Sequence, residues 1–452
     1  MAVMVWTGIC SLGAGEGRLE LFTLLKDDES WRRPQAEFLS DISGFGFRFL
    51  DEQRNSASSL QPERIAFLGF PVYDARLFWK EQAGKKLLSR VELSIYNKGD
   101  SEKQLSRQAF NALVKTAAER LSEKQGRGRL GRVGKPRAND VIRRMLWTGR
   151  TPGVQLQWGY VEPHRSGGKS VPYSAEFVKI LLVPMTGASA VDHAALTGSG
   201  IMAKAKNMSQ LRKAVRREVD GSVWIEGIPM VDQGQKGYCA VATAERLLRF
   251  YQLQVDQHEI AQIADTQAGG GTSIQNMALA IAKIGHHYRL DKKDLLPVED
   301  EKNFLKSDFL KQLENYNAVA KKKRADEIDW ETYTTDHVVD LQKIWADMDP
   351  AILKEARMRQ RQAFRAFMRD IKRYVDLGVP IIWSCMVGLY PENPPLGQAG
   401  AYGHIRLIIG YNSRTQTVVY SDTWGAAHTR KEMPAADAWA MTKGMMILKP
   451  RL

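Results

Sequence analysis

The sequence has few cysteines and no long apolar run. Three cysteines, Cys10, Cys239 and Cys385, occur in 452 residues, too few for a disulfide scaffold or for a structural zinc site with four thiolate ligands. No stretch reaches the roughly 20 uninterrupted apolar residues that a membrane-spanning helix needs. These absences exclude a small disulfide-bonded protein and a membrane-spanning chain, and they leave the cysteines available for chemistry.

The size and composition indicate a folded protein of more than one part. The chain exceeds the length of about 250–300 residues at which a single hydrophobic core stops growing, so we expect two domains or one domain with large insertions. It is 44% hydrophobic, 26% charged and 9% aromatic. These fractions are typical of globular proteins and unlike those of disordered or coiled-coil chains.

The net charge of +14 is concentrated in one region. Residues 101–220 contain 22 Lys and Arg against 9 Asp and Glu, whereas the rest of the chain holds 43 against 42. Aromatic residues do not alternate with the basic ones there, as they do in proteins that bind single-stranded nucleic acid. The pattern therefore favours a solvated surface or an acidic partner over nucleic acid.

The first 16 residues, MAVMVWTGICSLGAGE, form an apolar stretch that ends in small residues. Its length fits the apolar core of a signal peptide, although the positive leader is missing. We expect an export signal at 1–16 and a periplasmic, cell-surface or secreted protein, with a cytoplasmic location as the alternative.

Residues 17–187 are predicted to form a separate α+β domain. Alternating and apolar runs predict strands, and helical spacing predicts one helix with Ser106 as its N-cap. The strands are predicted over 64–73, 87–96, 154–160 and 177–184, and the helix over 108–121. No motif here points to chemistry, so the domain is either a regulatory, propeptide-like segment or a permanent binding domain.

Residues 188–220 are predicted to be a basic linker. Within it, apolar residues at helical spacing, Leu211, Ala214 and Val215, predict an amphipathic basic helix over 204–217.

Cys239 lies where a nucleophile is expected. It follows the glycine-containing loop DQGQKGY and directly precedes an amphipathic helix. The free N–H groups and the dipole at a helix start favour thiolate, the form of cysteine that attacks carbonyl carbon. Gln233, six residues upstream, can present its amide to a developing oxyanion. The alternative is a cysteine that only packs in the core, which is the interpretation we adopt for Cys385.

The C-terminal region contains a base and a residue that can orient it. His404 follows a glycine at the start of the apolar stretch YGHIRLIIGYN, and Asp422 ends the next one, TVVYSD. The short segment between these stretches predicts a β-hairpin. Because hairpin strands are antiparallel, the start of the first lies beside the end of the second. The imidazole of His404 and the carboxylate of Asp422 can then meet.

Together these residues resemble the papain-like cysteine peptidases, and within them the bacterial C39-like branch. Four motifs match: an oxyanion Gln-Gly, a nucleophile, a base and an Asn-Ser-Trp-Gly turn with Asp in place of Asn. They stand here at Gln233-Gly234, Cys239, Gly403-His404 and Asp422-Thr-Trp424-Gly425. The resemblance covers about 221–290 and 363–452. It departs from the family at Tyr238 and Ala240, which flank the cysteine.

The resemblance implies an α+β, papain-like fold for residues 221–452, with the Cys239 helix packed against an antiparallel sheet that holds His404 and Asp422. It also implies a thiol peptidase that acts on polypeptides without a cofactor or metal. The residues expected to line the substrate site are Gly237, Tyr238, Gly403 and Trp424. A transglutaminase- or amidase-type acyl transferase with the same three residues, and a non-catalytic binding protein, remain alternatives.

Residues 290–362 have no counterpart in a minimal domain of this kind. Their composition is charged and typical of helices, which predicts a helical insertion that serves as cover or as a substrate lid. After it, an amphipathic helix beginning near Phe364 and ending at Gly378, followed by a buried strand over 379–385, returns to the expected fold.

Overall fold

The computed structural model describes residues 17–50, 53–98, 104–131, 139–166, 169–185, 206–231, 239–253, 260, 290–297, 308–335, 338–396 and 400–450. The predicted export segment 1–16 and the residues Gln233, Gly237 and Tyr238 lie outside this part. Contacts divide the chain into two compact units. The first comprises 1–48, 56–97 and 105–199, and the second comprises 49–55, 98–104 and 200–452.

The first unit is built on an eight-stranded sheet. Its elements in chain order are β1 Leu19–Glu20, α1 Leu21–Leu25, α2 Asp28–Arg32, α3 Gln35–Asp41, β2 Phe47–Phe49, β3 Ser56–Ser59, β4 Ile65–Phe67, β5 Phe70–Pro71, β6 Asp74–Gln82, β7 Lys85–Asn97, α4 Arg107–Gln125, β8 Arg129–Leu130, β9 Asp140–Trp147, β10 Gly153–Val161, β11 His164–Ser166, β12 Lys169–Val171 and β13 Ser174–Val183. The sheet order is β2-β3-β6-β7-β13-β10-β9-β8, and β6, β7, β13 and β10 pair antiparallel.

Helix α4 packs against this sheet as the sequence predicts. The Ser106 hydroxyl accepts a hydrogen bond from Ala109 N, which caps the first turn. Phe110, Ala117 and Leu121 are buried on its inner face. The predicted strands over 87–96, 154–160 and 177–184 are confirmed by β7, β10 and β13.

The strand predicted over 64–73 is instead a short hairpin of β4 and β5. Leu68 and Gly69 have φ of 48° and 75°, so the chain reverses between them. The carboxylate of Glu20 accepts hydrogen bonds from both of their N–H groups, at 2.7 and 3.0 Å. Glu20, which is distant in sequence, therefore stabilises a turn that the local residue propensities do not predict.

The second unit has a mixed sheet-and-helix architecture. Its elements in chain order are α5 Met208–Arg212, β14 Val215–Arg217, β15 Ser222–Ile225, α6 Cys239–Phe250, β16 Leu290–Leu296, α7 Asp308–Lys323, β17 Thr334–Thr335, β18 Val338–Val339, α8 Leu341–Asp347, α9 Pro350–Arg359, α10 Arg361–Asp376, β19 Ile381–Val387, β20 Tyr402–Asn412, β21 Thr417–Ser421, β22 Lys431–Pro434, α11 Ala435–Met441 and β23 Thr442–Pro450. Its main sheet has the order β14-β15-β20-β19-β23-β16, and β21 joins β20 to β22.

The predicted basic helix over 204–217 is wrong in its second half. Helix α5 ends at Arg212, and Val215–Arg217 form β14, which pairs antiparallel with β15 at the edge of the main sheet. Leu211 is fully buried in the core of the second unit. Residues 206–220 therefore belong to this unit, because the buried Leu211 and the ladder of β14 outweigh the solvated basic residues.

The predicted helical insertion over 290–362 also needs correction. Residues 290–296 form β16, which pairs antiparallel with β23 at the other edge of the main sheet. Helices α7, α8 and α9 follow, and their apolar residues Phe309, Leu313 and Trp345 are part of the same hydrophobic core as β19 and β20. The prediction of helices is confirmed after residue 308, but these helices complete the hydrophobic core and do not form a separate cover.

Helix α10 and strand β19 agree with the sequence analysis. The helix ends at Asp376, and Gly378 adopts φ of 71° while its N–H donates to Val375 O at 2.8 Å. A Cβ at Gly378 would lie 2.1 Å from Leu211 O, so only glycine fits this close approach. All seven residues of β19 are buried.

Candidate functional site

Cys239 is the first residue of α6, the position predicted for a nucleophile. The predicted amphipathic helix is confirmed, since its apolar residues Ala240, Val241, Ala244, Leu247 and Leu248 are buried. Burial extends to Thr243, Glu245 and Arg246 as well, so the helix is enclosed on more than one side. Cys239 itself is only partly buried. The residue therefore lies at a helix start that is not fully enclosed.

His404 lies near the start of β20, and its side chain is on a face of the sheet that β20 shares with β19. Its Cα pairs with Cys385 across the two strands, and Arg406, two residues on, pairs with Trp383. Side chains alternate along a strand, so His404 and Arg406 point to the same face. The His404 side chain is almost fully buried.

Asp422 follows β21, and the hairpin register explains its position. Leu407 pairs with Ser421, so the next pair in the same register sets Asp422 opposite Arg406, on the His404 face. His404 Nε2 lies 2.5 Å from Asp422 Oδ1. Thr423 N donates to the same oxygen at 3.0 Å. The predicted meeting of imidazole and carboxylate is present in the structure.

The imidazole also contacts the thiol. His404 lies within interaction range of the Cys239 thiol, and each group shifts the pKa of the other. The backbone N–H groups of Ile405 and Ala240 also lower the pKa of the thiol. Since Nε2 faces Asp422, Nδ1 is the ring nitrogen left for the thiol. Cys239, His404 and Asp422 thus form one interacting series.

Electrostatics in this series favour the charged forms. Burial alone raises the pKa of Cys239, but the hydrogen bond and charge of His404 bring it below its ordinary value. Burial lowers the pKa of His404, yet the charge of Asp422, helped by Cys239, raises it to about 9. Both shifts favour a thiolate beside an imidazolium over the neutral pair.

Trp424 covers the imidazole. Its ring stacks on His404 with centroids 4.2 Å apart and planes 11° from parallel. The stack shields one face of the His404 ring from solvent and restrains its rotation. Gly403, the other described residue predicted to line the substrate site, is partly exposed, and a Cβ there would lie 3.8 Å from Gln342 Oε1 of α8. Helix α8 thus borders the start of β20.

A cluster of buried charges lies behind Asp422. Arg406 Nη2 is 3.2 Å from Asp422 Oδ2, and Arg406 Nη1 is 3.1 Å from both carboxylate oxygens of Glu392. Lys431 Nζ and Tyr420 Oη donate to Glu392 Oε2 at 2.8 and 2.7 Å. The side chains of Arg406, Asp422, Glu392 and Lys431 are all 0% exposed.

Burial opposes the charge of Asp422, but Arg406 and His404 hold the pKa of its carboxyl well below the usual range. The carboxylate therefore stays ionised while it accepts from the imidazole.

Arg246 connects three parts of the site. It lies in α6, and its guanidinium donates to Asp422 O at 2.5 Å, to Pro229 O at 2.9 Å and to the Ser421 hydroxyl. Thr243 adds a second link, because its hydroxyl donates to Ile405 O at 3.1 Å. These bonds fix the Cys239 helix against the strands of His404 and Asp422.

Arg406, Glu392, Lys431 and Arg246 were not identified from the sequence. One signal was available for Arg406: a charged residue inside the apolar run IRLII, two residues from the base, has to find a buried partner. Glu392 lies in the irregular connection between β19 and β20, where no periodicity marks its direction.

Among the described residues, no group of three or more His, Cys, Asp and Glu is arranged to hold a metal ion. In the same part of the chain, no helix combines the length and apolar character needed to cross a membrane.

Residues 306–447 match the model of the Peptidase_C39 like family. The resemblance that the sequence analysis found in the C-terminal half is thereby confirmed, and a cysteine peptidase-like domain with mixed helix and strand content lies there. The match includes His404 and Asp422 but begins after Cys239. It also includes most of the predicted insertion, in agreement with the shared core of that segment. No curated protein matches the chain.

Proposed function

We propose that the protein is a cysteine peptidase in which Cys239 is the nucleophile, His404 the acid and base, and Asp422 the residue that orients His404. One observation supports this assignment above the others: a partly exposed cysteine at a helix start lies beside a buried His–Asp pair, and His404 lowers the pKa of its thiol. A core cysteine needs neither an imidazole nor a carboxylate beyond it.

In the proposed acylation step, the thiolate of Cys239 attacks the carbonyl carbon of a peptide bond. The imidazolium of His404 gives its proton to the leaving nitrogen as the C–N bond breaks, which releases an amine and leaves a thioester on Cys239. Asp422 stabilises the imidazolium before transfer and keeps the ring in place. Trp424, stacked on the ring, restricts the His404 orientations that compete with this one.

In the proposed deacylation step, His404 accepts a proton from water, and the resulting oxygen nucleophile attacks the thioester. The C–S bond breaks, the carboxylic acid leaves, and the thiolate–imidazolium pair is restored. The proposed oxyanion donors are the backbone N–H of Cys239 and the amide of Gln233. The assignment of Gln233 rests on its sequence motif.

A cleavage assay tests the proposal. The wild-type protein and Cys239→Ala are incubated with a mixed peptide library, and products are identified by mass spectrometry. We expect new carboxyl termini, with one oxygen from ¹⁸O-labelled water, in the wild type alone. Products joined to an added amine without the label would identify an acyl transferase. Identical libraries with and without wild-type protein would contradict both enzymatic functions.

A further inference from the structure

Arg406 occupies a position that packing alone does not require. It follows His404 by two residues on the same face of β20, and its guanidinium lies between two carboxylates, Asp422 and Glu392. A fully buried guanidinium is costly to desolvate, and apolar residues of similar volume in place of a whole buried ion cluster are often as stable or more so. Packing alone therefore does not account for the charge of Arg406.

The contact with Asp422 is one of charge. Arg406 Nη2 and Asp422 Oδ2 are 3.2 Å apart, but within the described residues neither atom makes a hydrogen bond of normal geometry. Oδ1, in contrast, faces His404 Nε2 and accepts from Thr423 N. The two oxygens thus have different partners, because Oδ2 is held by a cation and Oδ1 faces the imidazole.

Glu392 extends this arrangement to the connection between β19 and β20. Its carboxylate is contacted by Arg406, Lys431 and Tyr420, and Lys431 also donates to Pro394 O at 3.1 Å. The segment 388–396 is thereby bound to the cluster that holds Asp422.

We infer that Arg406 is a positioning residue for the proposed hydrolysis. It holds Asp422 Oδ2 so that Oδ1 stays against His404, and through Glu392 it links segment 388–396 to the His404–Asp422 pair. The inference rests on the proposed function for its chemistry, but the thiol's own reactivity tests it without a substrate.

The charge of Arg406 acts on a defined set of neighbours. The charged and titratable groups packed around it or next in the cluster are Asp422, His404, Cys239, Cys385, Glu392, Lys431, Tyr420, Tyr402, His428 and Arg246. Removal of this cation makes nearby negative charge less stable, the Cys239 thiolate included. Removal of the negative charge of Glu392 should have the opposite effect and make the Cys239 thiolate more stable. A folding defect cannot produce shifts in opposite directions.

The experiment measures the rate of Cys239 alkylation by iodoacetamide against pH, followed by mass spectrometry of the full-length protein. The acid limb of this profile is the pH range in which the rate rises as Cys239 loses its proton. In Arg406→Gln we expect the acid limb to move to higher pH by about half a unit or more, and in Glu392→Gln we expect it to move to lower pH. Arg406→Lys keeps the charge and should return the limb toward the wild-type position. On peptide substrate, kcat per titrated thiol should fall about tenfold or more in Arg406→Gln, with KM within about twofold.

Arg357→Gln is the matched control. Arg357 is also a buried arginine of the second unit, and its guanidinium donates to Trp439 O, Thr442 O and Gln312. Its loss should lower the midpoint of thermal unfolding and leave the acid limb in place.

Two results overturn the inference. One is an acid limb in Arg406→Gln that coincides with the wild type. The other is a limb in Arg357→Gln that moves as far as the limb in Arg406→Gln. If Arg406→Gln does not accumulate as folded protein, Glu392→Gln decides the question, since an unmoved or raised limb contradicts the linked charges. Absence of peptide cleavage by the wild type would contradict the proposed function and leave the alkylation test intact.

Discussion

The start of α6 and the middle of β19 each place a thiol beside His404, and the two thiols differ in chemistry. Cys239 is partly exposed, and the imidazole of His404 together with two backbone N–H groups brings the pKa of its thiol below the ordinary value. Cys385 is fully buried, its sulfur lies 3.8 Å from His404 O, and burial raises its pKa far above that value.

This contrast shows that proximity to a histidine does not activate a cysteine. In β19 the backbone N–H groups are used by the strand ladder, so the sulfur of Cys385 meets a carbonyl, which cannot stabilise negative charge. In the first turn of α6 the Ala240 N–H acts on the sulfur, and the Ile405 N–H of β20 does so from the facing strand; both lower the pKa of the thiol. The local backbone, together with a ring nitrogen that faces the thiol, separates the reactive cysteine from the packed one.

Replacement of each cysteine should give the largest difference. We expect Cys239→Ala to lower kcat by about 1,000-fold or more, because the nucleophile is lost. Cys385→Ala should keep kcat within about twofold and reduce the free energy of unfolding by about 1 kcal/mol, since it removes one buried atom. Peptide cleavage and urea denaturation of both variants measure this. Equal activity losses would place Cys385 in the chemistry.

Alkylation compares the two thiols in one sample. Iodoacetamide at neutral pH should modify Cys239 at least about 100-fold faster than Cys385, because only Cys239 is partly exposed and has a thiol pKa below the ordinary value. Peptide mapping of the native protein gives both rates. In urea the ratio should approach one. A native ratio near one would remove the basis for an activated Cys239.

Asp422→Asn tests how much of the activation of Cys239 depends on charge. We expect kcat to fall about 10- to 100-fold and some activity to remain, because the amide can still accept from His404 but no longer neutralises Arg406. Kinetics with the active thiol titrated give this value. A loss as large as that of Cys239→Ala would show that orientation contributes little and charge nearly everything.

The pH dependence of stability should show the smallest effect. His404 has a folded pKa of about 9 against 6.5 for the ordinary group, so its stabilising contribution is complete below about pH 6.5 and is lost as the pH rises toward 9. In the wild type the lowered pKa of the Cys239 thiol opposes this loss, because ionisation of the thiol favours the folded state as the pH rises. In Cys239→Ser the offset is absent, and we expect the free energy of unfolding to fall by about 1–2 kcal/mol between pH 6.5 and 8.5.

Urea denaturation of Cys239→Ser, the wild type and Cys385→Ala across this pH range measures the effect. Cys385→Ala should follow the weak slope of the wild type. A slope in Cys239→Ser no steeper than theirs would mean that His404 is not protonated beside Asp422.

The positions of Cys239, His404 and Asp422 could be predicted because short stretches of sequence determine them. A glycine-containing loop before an amphipathic stretch marks the helix start, and two apolar runs with a short connection mark the hairpin that sets His404 near Asp422. Gly378 was a reliable helix end for the same reason, since a left-handed residue after an apolar face is a local property.

The features that the sequence does not predict depend on contacts between distant parts of the chain. Strand β16, with the sequence LDKKDLL, has no alternation of polar and apolar residues, and its pairing with β23 decides its conformation. Arg406 and Glu392 become partners only when the connection between β19 and β20 folds back onto the sheet. Such pairings leave no periodic pattern in a single sequence.

The order of the site residues along the chain has a consequence for synthesis. Cys239 emerges from the ribosome well before His404 and Asp422, and the N–H of Ile405 that contacts its sulfur arrives with them. Until β20 and β21 dock on α6, Cys239 is an ordinary thiol with the nucleophilicity of any exposed cysteine. The lowered pKa of the Cys239 thiol is then acquired only after β20 and β21 have been made, well after Cys239 itself.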